Sequence, residues 1–124
     1  MKTKVIFIPA IKSNITYYIG SNAEDNWNII DNASPDDIWF HIEGMPSCHV
    51  IASICENENE NTNFDKKDKR YIIKQGALLC KANSKYKSER NLKITYTSCK
   101  NVKKIEGSPG TVSIPFSNSS TINI

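Results

Sequence analysis

The chain has 124 residues, of which 39% are hydrophobic and 23% are charged, and its formal net charge at pH 7 is +3. A chain of this length can bury a core of its own, so we expect a single domain over residues 1–124 without a stabilising metal or disulfide. No apolar run approaches the roughly 18 residues of a membrane-spanning helix. The apolar run near the start stops at Pro9 and lacks a small-residue cleavage site. We therefore predict a strand there, no membrane partner and a cytoplasmic protein.

The charge is unevenly distributed along the chain. Residues 1–64 carry three lysines against nine acids, whereas residues 65–124 carry thirteen basic residues against four acids. Such an asymmetry suggests an anionic partner for the basic half. A basic surface that is merely solvated has the same composition, so this pattern alone leaves both interpretations open.

The first predicted elements are a hairpin and a short helix. β-forming residues alternate in two runs that end near Pro9 and Gly20, with turn-forming residues between them, which predicts two antiparallel strands. Ser21 or Asn22 is a suitable N-cap for a helix that ends near Asn32. The residues that helical spacing places on one face of this helix are Ala23, Trp27 and Ile30.

A hairpin containing both histidines lies at the centre of the sequence, in residues 36–50. Residues 37–43 and 49–55 are predicted strands, joined by a turn at Gly44 and Pro46. Alternation along the first strand places Ile38, Phe40 and Ile42 on one face and Asp37, Trp39, His41 and Glu43 on the other. In the second strand, Val50, Ala52 and Ile54 oppose His49, Ile51, Ser53 and Cys55. Both histidines are therefore expected on one side of a sheet, close to Trp39.

A loop and a long helix follow. Residues 56–64 are rich in Asn and Glu and can bury little, so we predict a mobile, solvated loop. An amphipathic helix is predicted over residues 65–86, with Gly76 allowing close approach to a sheet. Its apolar side contains Ile72, Leu79, Ala82 and Tyr86. Its outer side is basic apart from Leu78 and contains Lys67, Arg70, Lys74, Lys81 and Lys85.

The last third of the chain is predicted to be mainly strands and turns. Strands are expected at residues 92–97, 111–115 and 121–124, a basic loop or short helical turn at 99–106, and turns at 107–110 and 117–120. No internal repeat or linker is present. The expected fold class is α+β, a single domain with a mainly antiparallel sheet on which one long and one short helix pack.

Candidate catalytic or metal-binding groups are few. The four cysteines include no Cys-x-x-Cys pair and match no zinc spacing, so we expect reduced, half-buried thiols and no cofactor. A hydrolytic site would use Asp37, His41, Cys48 and His49. However, Cys48 and His49 are adjacent on a strand and point to opposite faces, so we predict a non-catalytic protein. His41, His49 and Cys55 could hold a metal ion, although no known ligand spacing supports such a site.

Several short motifs follow one another in order along the chain. They are Tyr18-Ile19-Gly20-Ser21-Asn22 with Asn26, Asp37-Ile38-Trp39-Phe40-His41, Ser47-Cys48-His49-Val50, Tyr96-Thr97 with Asn101-Val102-Lys103-Lys104, and Pro109-Gly110-Thr111-Val112. The ordered set resembles the NFACT-R domain of ribosome quality-control proteins, most closely the branch in which this domain occurs alone with a coiled-coil tail. That tail has no counterpart in this sequence, and Ser47-Cys48 stands where the family often has Gly-Ser.

The resemblance implies a module that binds structured RNA of the tRNA or rRNA type, with DNA also possible, in a ribosome-associated or translation quality-control context. It implies a motif patch, which either contacts the nucleic acid or holds the hairpin, of Gly20, Asn22, Asn26, Asp37, Trp39, His41, Ser47 and His49. The basic residues expected to contact phosphates are Lys67, Arg70, Lys74, Lys81, Lys85, Lys100, Lys103 and Lys104. A second hypothesis is a protein-interaction module that docks on a ribosome or an assembly factor.

Overall fold

The computed structural model describes residues 2–54, 64–108 and 110–124. The strands are β1 (Lys2–Ile8), β2 (Ser13–Ile19), β3 (Ile38–Ile42), β4 (Val50–Ser53), β5 (Lys93–Ser98), β6 (Lys103–Lys104), β7 (Val112–Ser113) and β8 (Ser120–Asn123). The helices are α1 (Ala23–Asp31) and α2 (Lys66–Ala82), and short 3-10 turns occupy Pro9–Ile11, Cys99–Asn101 and Phe116–Asn118. The predicted mobile loop at residues 56–64 lies outside the described residues, apart from Phe64.

Six of these strands form an antiparallel sheet in the order β1-β2-β4-β3-β5-β8, and β6 pairs with β7 in a separate ribbon. With the two helices, this arrangement confirms the predicted α+β class. The first hairpin is confirmed by the β1–β2 register, and the closing strand is confirmed because β8 pairs with β5. The predicted basic loop at residues 99–106 contains a 3-10 turn followed by β6. Within the described ranges, no helix is both long and apolar enough to cross a membrane.

The central hairpin divides its side chains between the two faces of the sheet as the alternation predicts. Phe40 and its apolar neighbours on β3 join a core cluster with the buried side of α2. Trp39 and Ile51, which pair across β3 and β4, belong to a second cluster with Ile29 of α1. We call these two sides the α2 face and the α1 face of the sheet.

The α2 helix lies on its face of the sheet through small and branched residues. Its buried residues are Ile72, Gly76, Ala77, Leu79 and Cys80. The close approach predicted at Gly76 is confirmed, because a Cβ there would lie within 3.0 Å of three ring carbons of the fully buried Phe40. The hydroxyl of Tyr17 donates to the carbonyl of Ile72 at 2.9 Å, which ties β2 to the helix. Ala82 was predicted on the apolar side, but this prediction is wrong because Ala82 is exposed.

The α2 helix begins where predicted and ends earlier. Asp65 caps its first turn in a reciprocal capping box with Asp68. The predicted end at residue 86 is wrong, since Ala82 is the last helical residue. The Asn83 amide and the Ser84 hydroxyl donate to carbonyls of the last turn, at 2.9 and 2.7 Å. The Ser84 hydroxyl occupies the Lys81 carbonyl, to which the amide of residue 85 would donate in a longer helix, so the chain leaves the helix there.

The α1 helix is capped by Asn22, whose side chain accepts from the amide of Asp25 at 2.8 Å, as predicted. The predicted apolar face of this helix is wrong. Its buried residues are Asn26 and Ile29, whereas Ala23, Trp27 and Ile30 are exposed or only half-buried. A buried asparagine is tolerated because it is hydrogen-bonded, while the Trp27 indole donates to the Thr111 carbonyl at 3.1 Å, towards the β6–β7 ribbon.

Candidate functional site

A cleft of about 890 Å³ opens at the end of the sheet where β2 leaves it and the β3–β4 turn begins. The segment that follows α2 and the loop before β7 complete its walls. Seven of the eight residues of the motif patch line this cleft: Gly20, Asn22, Asn26, Trp39, His41, Ser47 and His49. Motifs that lie far apart in sequence therefore meet around a single concavity.

The first motif fixes the end of β2 against the start of β4. The side-chain oxygen of Asn26 accepts from the backbone N–H of His49 at 3.0 Å, and the Gly20 N–H donates to the His49 carbonyl at 2.9 Å. A Cβ at Gly20 would overlap the carboxamide oxygen of Asn26, so only glycine leaves room for this contact. Gly20 and Asn26 consequently hold His49 in place, and Asn22 caps the helix that carries Asn26.

Trp39 and His49 form a buried polar pair below the cleft. The Trp39 indole N–H donates to Nδ1 of His49 at 3.2 Å, and the two residues are 1% and 2% exposed. Burial, and to a smaller extent the neighbouring His41, lowers the pKa of His49 to about 3. An Nδ1 that accepts must carry no proton, so the proton of the neutral ring is on Nε2. The prediction that the two histidines lie close to Trp39 is confirmed. Trp39 itself is a core residue.

His41 is the aromatic ring of the patch that reaches the cleft surface. It stacks nearly parallel to Trp39, with ring centroids 5.6 Å apart and an interplanar angle of 6°, and meets His49 edge-on at 5.1 Å. Burial lowers the pKa of His41 below its ordinary value. The ring is therefore uncharged at neutral pH, and its two ring contacts fix its orientation.

The remaining patch residues have structural contacts. The Ser47 hydroxyl accepts from the Ile42 amide at 3.2 Å and stabilises the β3–β4 turn. Asp37 is buried, and its two carboxylate oxygens accept from the amides of Ile54 and Ser34 at 3.0 and 2.9 Å. Asp37 does not line the cleft; its carboxylate joins the loop before β3 to the residue that follows β4.

Two lysines stand at the rim of the cleft. Lys2 donates to the Asn83 side chain at 3.3 Å, and Lys85 is exposed in the turn after α2. None of the described residues lining the cleft carries a carboxylate. The sequence predicted Lys85 as a binding residue but missed Lys2 and the exposed Met45. Lys2 reaches the cleft only because β1 pairs with β2, placing Lys2 opposite Ile19, and no local pattern encodes that register.

The predicted basic side of α2 remains accessible over most of its length. Lys67, Arg70 and Lys74 are exposed, and no ion pair among the described residues involves α2. Lys81 is half-buried and donates to the carbonyl of Ile124 at 3.0 Å, so it contributes to packing of the C-terminus. The three exposed residues lie in the N-terminal half of α2, whereas Lys85 lies at the cleft, just beyond the C-terminal end of the helix.

The other three predicted lysines lie on the opposite side of the molecule. Lys104 donates to Asp31 of α1 and lies over the Trp27 ring, at 2.6 and 5.4 Å, while Lys100 faces Asp36 at 3.5 Å. They and the exposed Lys103 belong to the α1 face, because Cys99 and Val102, their neighbours in the chain, are members of the cluster that contains Ile29 of α1. The sheet thus separates the predicted basic residues into two groups.

The alternative chemistries have little geometric support. Cys48 packs towards the core of the α2 face and Cys80, while His49 turns towards Trp39, which confirms that the two adjacent residues diverge. Cys48, Cys80 and Cys99 are unbridged. No cluster of three potential metal ligands occurs in the described ranges, and Cys55 of the hypothetical metal site lies outside them.

Comparison with known proteins identifies relatives. The sequence model of the family described as the NFACT protein RNA binding domain matches residues 4–115. The chain is 31% identical over 93 residues to mouse coiled-coil domain-containing protein 25, covering 74% of this chain and 42% of that one. It is 28% identical over 102 residues to the Rqc2 homolog RqcH of Bacillus subtilis, covering 81% of this chain and 16% of the relative. The chain therefore spans less than half the length of both relatives.

The fold has a counterpart among solved structures. The structure of the C-terminal part of the fibronectin/fibrinogen-binding protein from Streptococcus suis superposes with a TM-score of 0.75 and 18% sequence identity. The match covers 100% of this chain and 45% of that chain. At this identity the likeness establishes the fold alone.

Proposed function

The chain belongs to the NFACT protein RNA binding domain family, and on that premise we propose that it binds structured RNA through the exposed basic side of α2. The observation that carries the proposal is the row of Lys67, Arg70 and Lys74, which are exposed and engaged in no ion pair with described residues. The partner proposed is RNA of the tRNA or rRNA type, in a ribosome-associated or translation quality-control setting.

The geometry of α2 suits a phosphate backbone. Residues 67, 70 and 74 are three and four apart, which places them on one side of a helix over a length of ~10 Å. Contacts from lysine and arginine to phosphates supply affinity without sequence readout. Double-stranded RNA is recognised mainly by shape and by backbone contacts, so a row of cations on a rigid element is appropriate for it.

The motif patch supports this function indirectly. Trp39, His49 and Asn26 are buried and hydrogen-bonded to one another or to backbone, so they hold the hairpin under the cleft instead of contacting RNA. His41 is the exception, because it is only half-buried, whereas the other three residues are buried. No cluster of side chains among the described residues suggests catalysis. We propose a binding module that carries out no chemical step.

The test is an equilibrium titration of a fluorescently labelled RNA hairpin with the purified chain, followed by anisotropy at several salt concentrations. Binding should weaken linearly in a plot of log Kd against log salt, because phosphate contacts release counterions. A chain that binds no RNA, or whose affinity does not change with salt, would refute the proposal. Such a result would favour the protein-interaction hypothesis, which a pull-down from nuclease-treated extract would then examine.

A further inference from the structure

The cleft differs in character from the basic side of α2. It is concave, and its volume of about 890 Å³ lies within the range of sites that enclose small ligands. A rigid A-form duplex cannot enter a cavity of this size, but a single unpaired nucleotide can. The cleft therefore fits a nucleotide that is not paired within an RNA duplex.

The polar rim of the cleft is suited to an anionic group of a ligand. Lys2 is oriented by its hydrogen bond to Asn83 at 3.3 Å, and Lys85 approaches from the segment after α2. Both histidines are kept neutral by burial, and no carboxylate belongs to the described lining, so the net charge of the wall comes from these two lysines. A phosphate between them would meet no opposing charge in the lining.

The wall below the rim is suited to a flat, weakly polar part of the same ligand. The ring of His41 is fixed by stacking on Trp39 and by its edge contact with His49, so it loses little freedom when a planar ligand packs on it. The side chain of Met45, 38% exposed, adds an adaptable apolar contact on the β3–β4 turn. Histidine is one of the side chains on which unstacked bases are held in RNA complexes.

We infer that the cleft binds one unstacked nucleotide of the RNA held by α2, with its phosphate between Lys2 and Lys85 and its base against His41. This inference rests on the proposed function, because the nucleotide belongs to the same RNA. The order of elements supports the connection, since Lys67, Arg70 and Lys74 lie on the N-terminal half of α2 and Lys85 follows the C-terminal end of the same helix at the cleft. The domain would then bind a duplex best at its junction with a single-stranded segment.

The experiment compares two labelled RNA hairpins that share one stem, one with blunt ends and one with a three-nucleotide single-stranded extension, placed in turn at either end. We expect at least one extension to tighten binding by about tenfold, which corresponds to one stacked base. His41→Ala and Lys85→Glu should each bring the ratio of the two Kd values close to one. Lys87→Glu, an exposed neighbour that does not line the cleft, should leave the ratio unchanged.

The possible outcomes separate the two proposals. If the wild-type chain binds both hairpins equally, or if the gain survives in Lys85→Glu and His41→Ala, the cleft is not a nucleotide site although RNA binding stands. If the wild-type chain binds neither hairpin, the proposed function fails and this inference fails with it. Lys85 is exposed in a turn, so its variant remains informative even if His41→Ala loosens the packing on Trp39.

Discussion

The indole N–H of Trp39 donates to Nδ1 of His49 at 3.2 Å, and this bond requires the neutral form of the histidine. The pair lies under the cleft, where burial lowers the pKa of His49 to about 3. The sequence motifs that suggest an active site therefore form a buried hydrogen bond in the fold. The contribution of this hydrogen bond is therefore measured by the stability of the protein and not by a catalytic rate.

Stability should decrease as the pH falls below about 6.5. The unfolded chain protonates His49 near its ordinary pKa of about 6.5, while the folded chain keeps it neutral down to about pH 3. The unfolded state thus binds more protons in this range, which costs ~2 kcal/mol of unfolding free energy by pH 5. His41, whose pKa is also lowered by burial, contributes with the same sign. Urea denaturation at pH 7.5 and pH 5 measures the loss.

His49→Asn is the matched variant for this prediction. Its carboxamide oxygen can accept from the Trp39 indole without titrating, so the loss between the two pH values should be clearly smaller than in the wild-type chain. His41 still titrates in the variant, so some dependence remains. An unchanged loss would show that His49 is not the source.

Gly76→Ala should destabilise the protein. The added methyl group would lie within 3.0 Å of three ring carbons of Phe40, which is fully buried. Overpacking of this kind costs ~1–3 kcal/mol and outweighs the ~1 kcal/mol that alanine gains in helix propensity. Thermal and urea denaturation should show the loss. In a Phe40→Leu background the same substitution should cost less; an equal cost in both backgrounds would contradict the contact.

Asn26→Ala should lower the free energy of unfolding by about 1–3 kcal/mol, because the buried N–H of His49 loses its acceptor. Asn28→Ala provides the control, since Asn28 is exposed on the same helix. Its effect should stay within about 0.5 kcal/mol. Equal effects of the two substitutions would mean that the contact between Asn26 and His49 contributes nothing to stability.

Asp37→Asn should reduce stability while leaving RNA affinity unchanged under conditions where the chain is folded. Both carboxylate oxygens accept backbone N–H groups, and an amide would turn its own N–H towards one of them, at a cost of ~1–3 kcal/mol. Asp36→Asn, at an exposed neighbour, is the control. A loss of RNA affinity by the folded Asp37→Asn variant would instead indicate that the motif residue acts in binding.

Much of the fold follows from local pattern. Alternation placed Phe40 and Trp39 on opposite faces, periodicity placed the start of α2 at residue 65, and Gly76 indicated a close approach that the Phe40 ring confirms. The end of α2 was missed because Asn83 and Ser84 satisfy the last carbonyls with their own side chains, a local competition that periodicity does not register.

The site was less predictable because it depends on topology. The buried side of α1 is centred on Asn26, a polar residue that a hydrophobic pattern passes over. Lys2 reaches the cleft through pairing of β1 with β2, and Lys104 turns away to Asp31 on the other face of the sheet. Charge counting in the sequence grouped lysines that the sheet separates.

The most direct measurement compares two double charge reversals, Lys67→Glu with Lys74→Glu on α2 and Lys100→Glu with Lys103→Glu on the α1 face. Both change the net charge equally, so nonspecific effects are matched. Each phosphate contact contributes ~0.9 to the slope of log Kd against log salt, so the α2 variant should bind an RNA hairpin more weakly, with the slope reduced by about 2. The α1-face variant should keep a slope close to that of the wild-type chain. Equal effects of the two variants, or an α2 variant with unchanged affinity, would contradict RNA binding through α2.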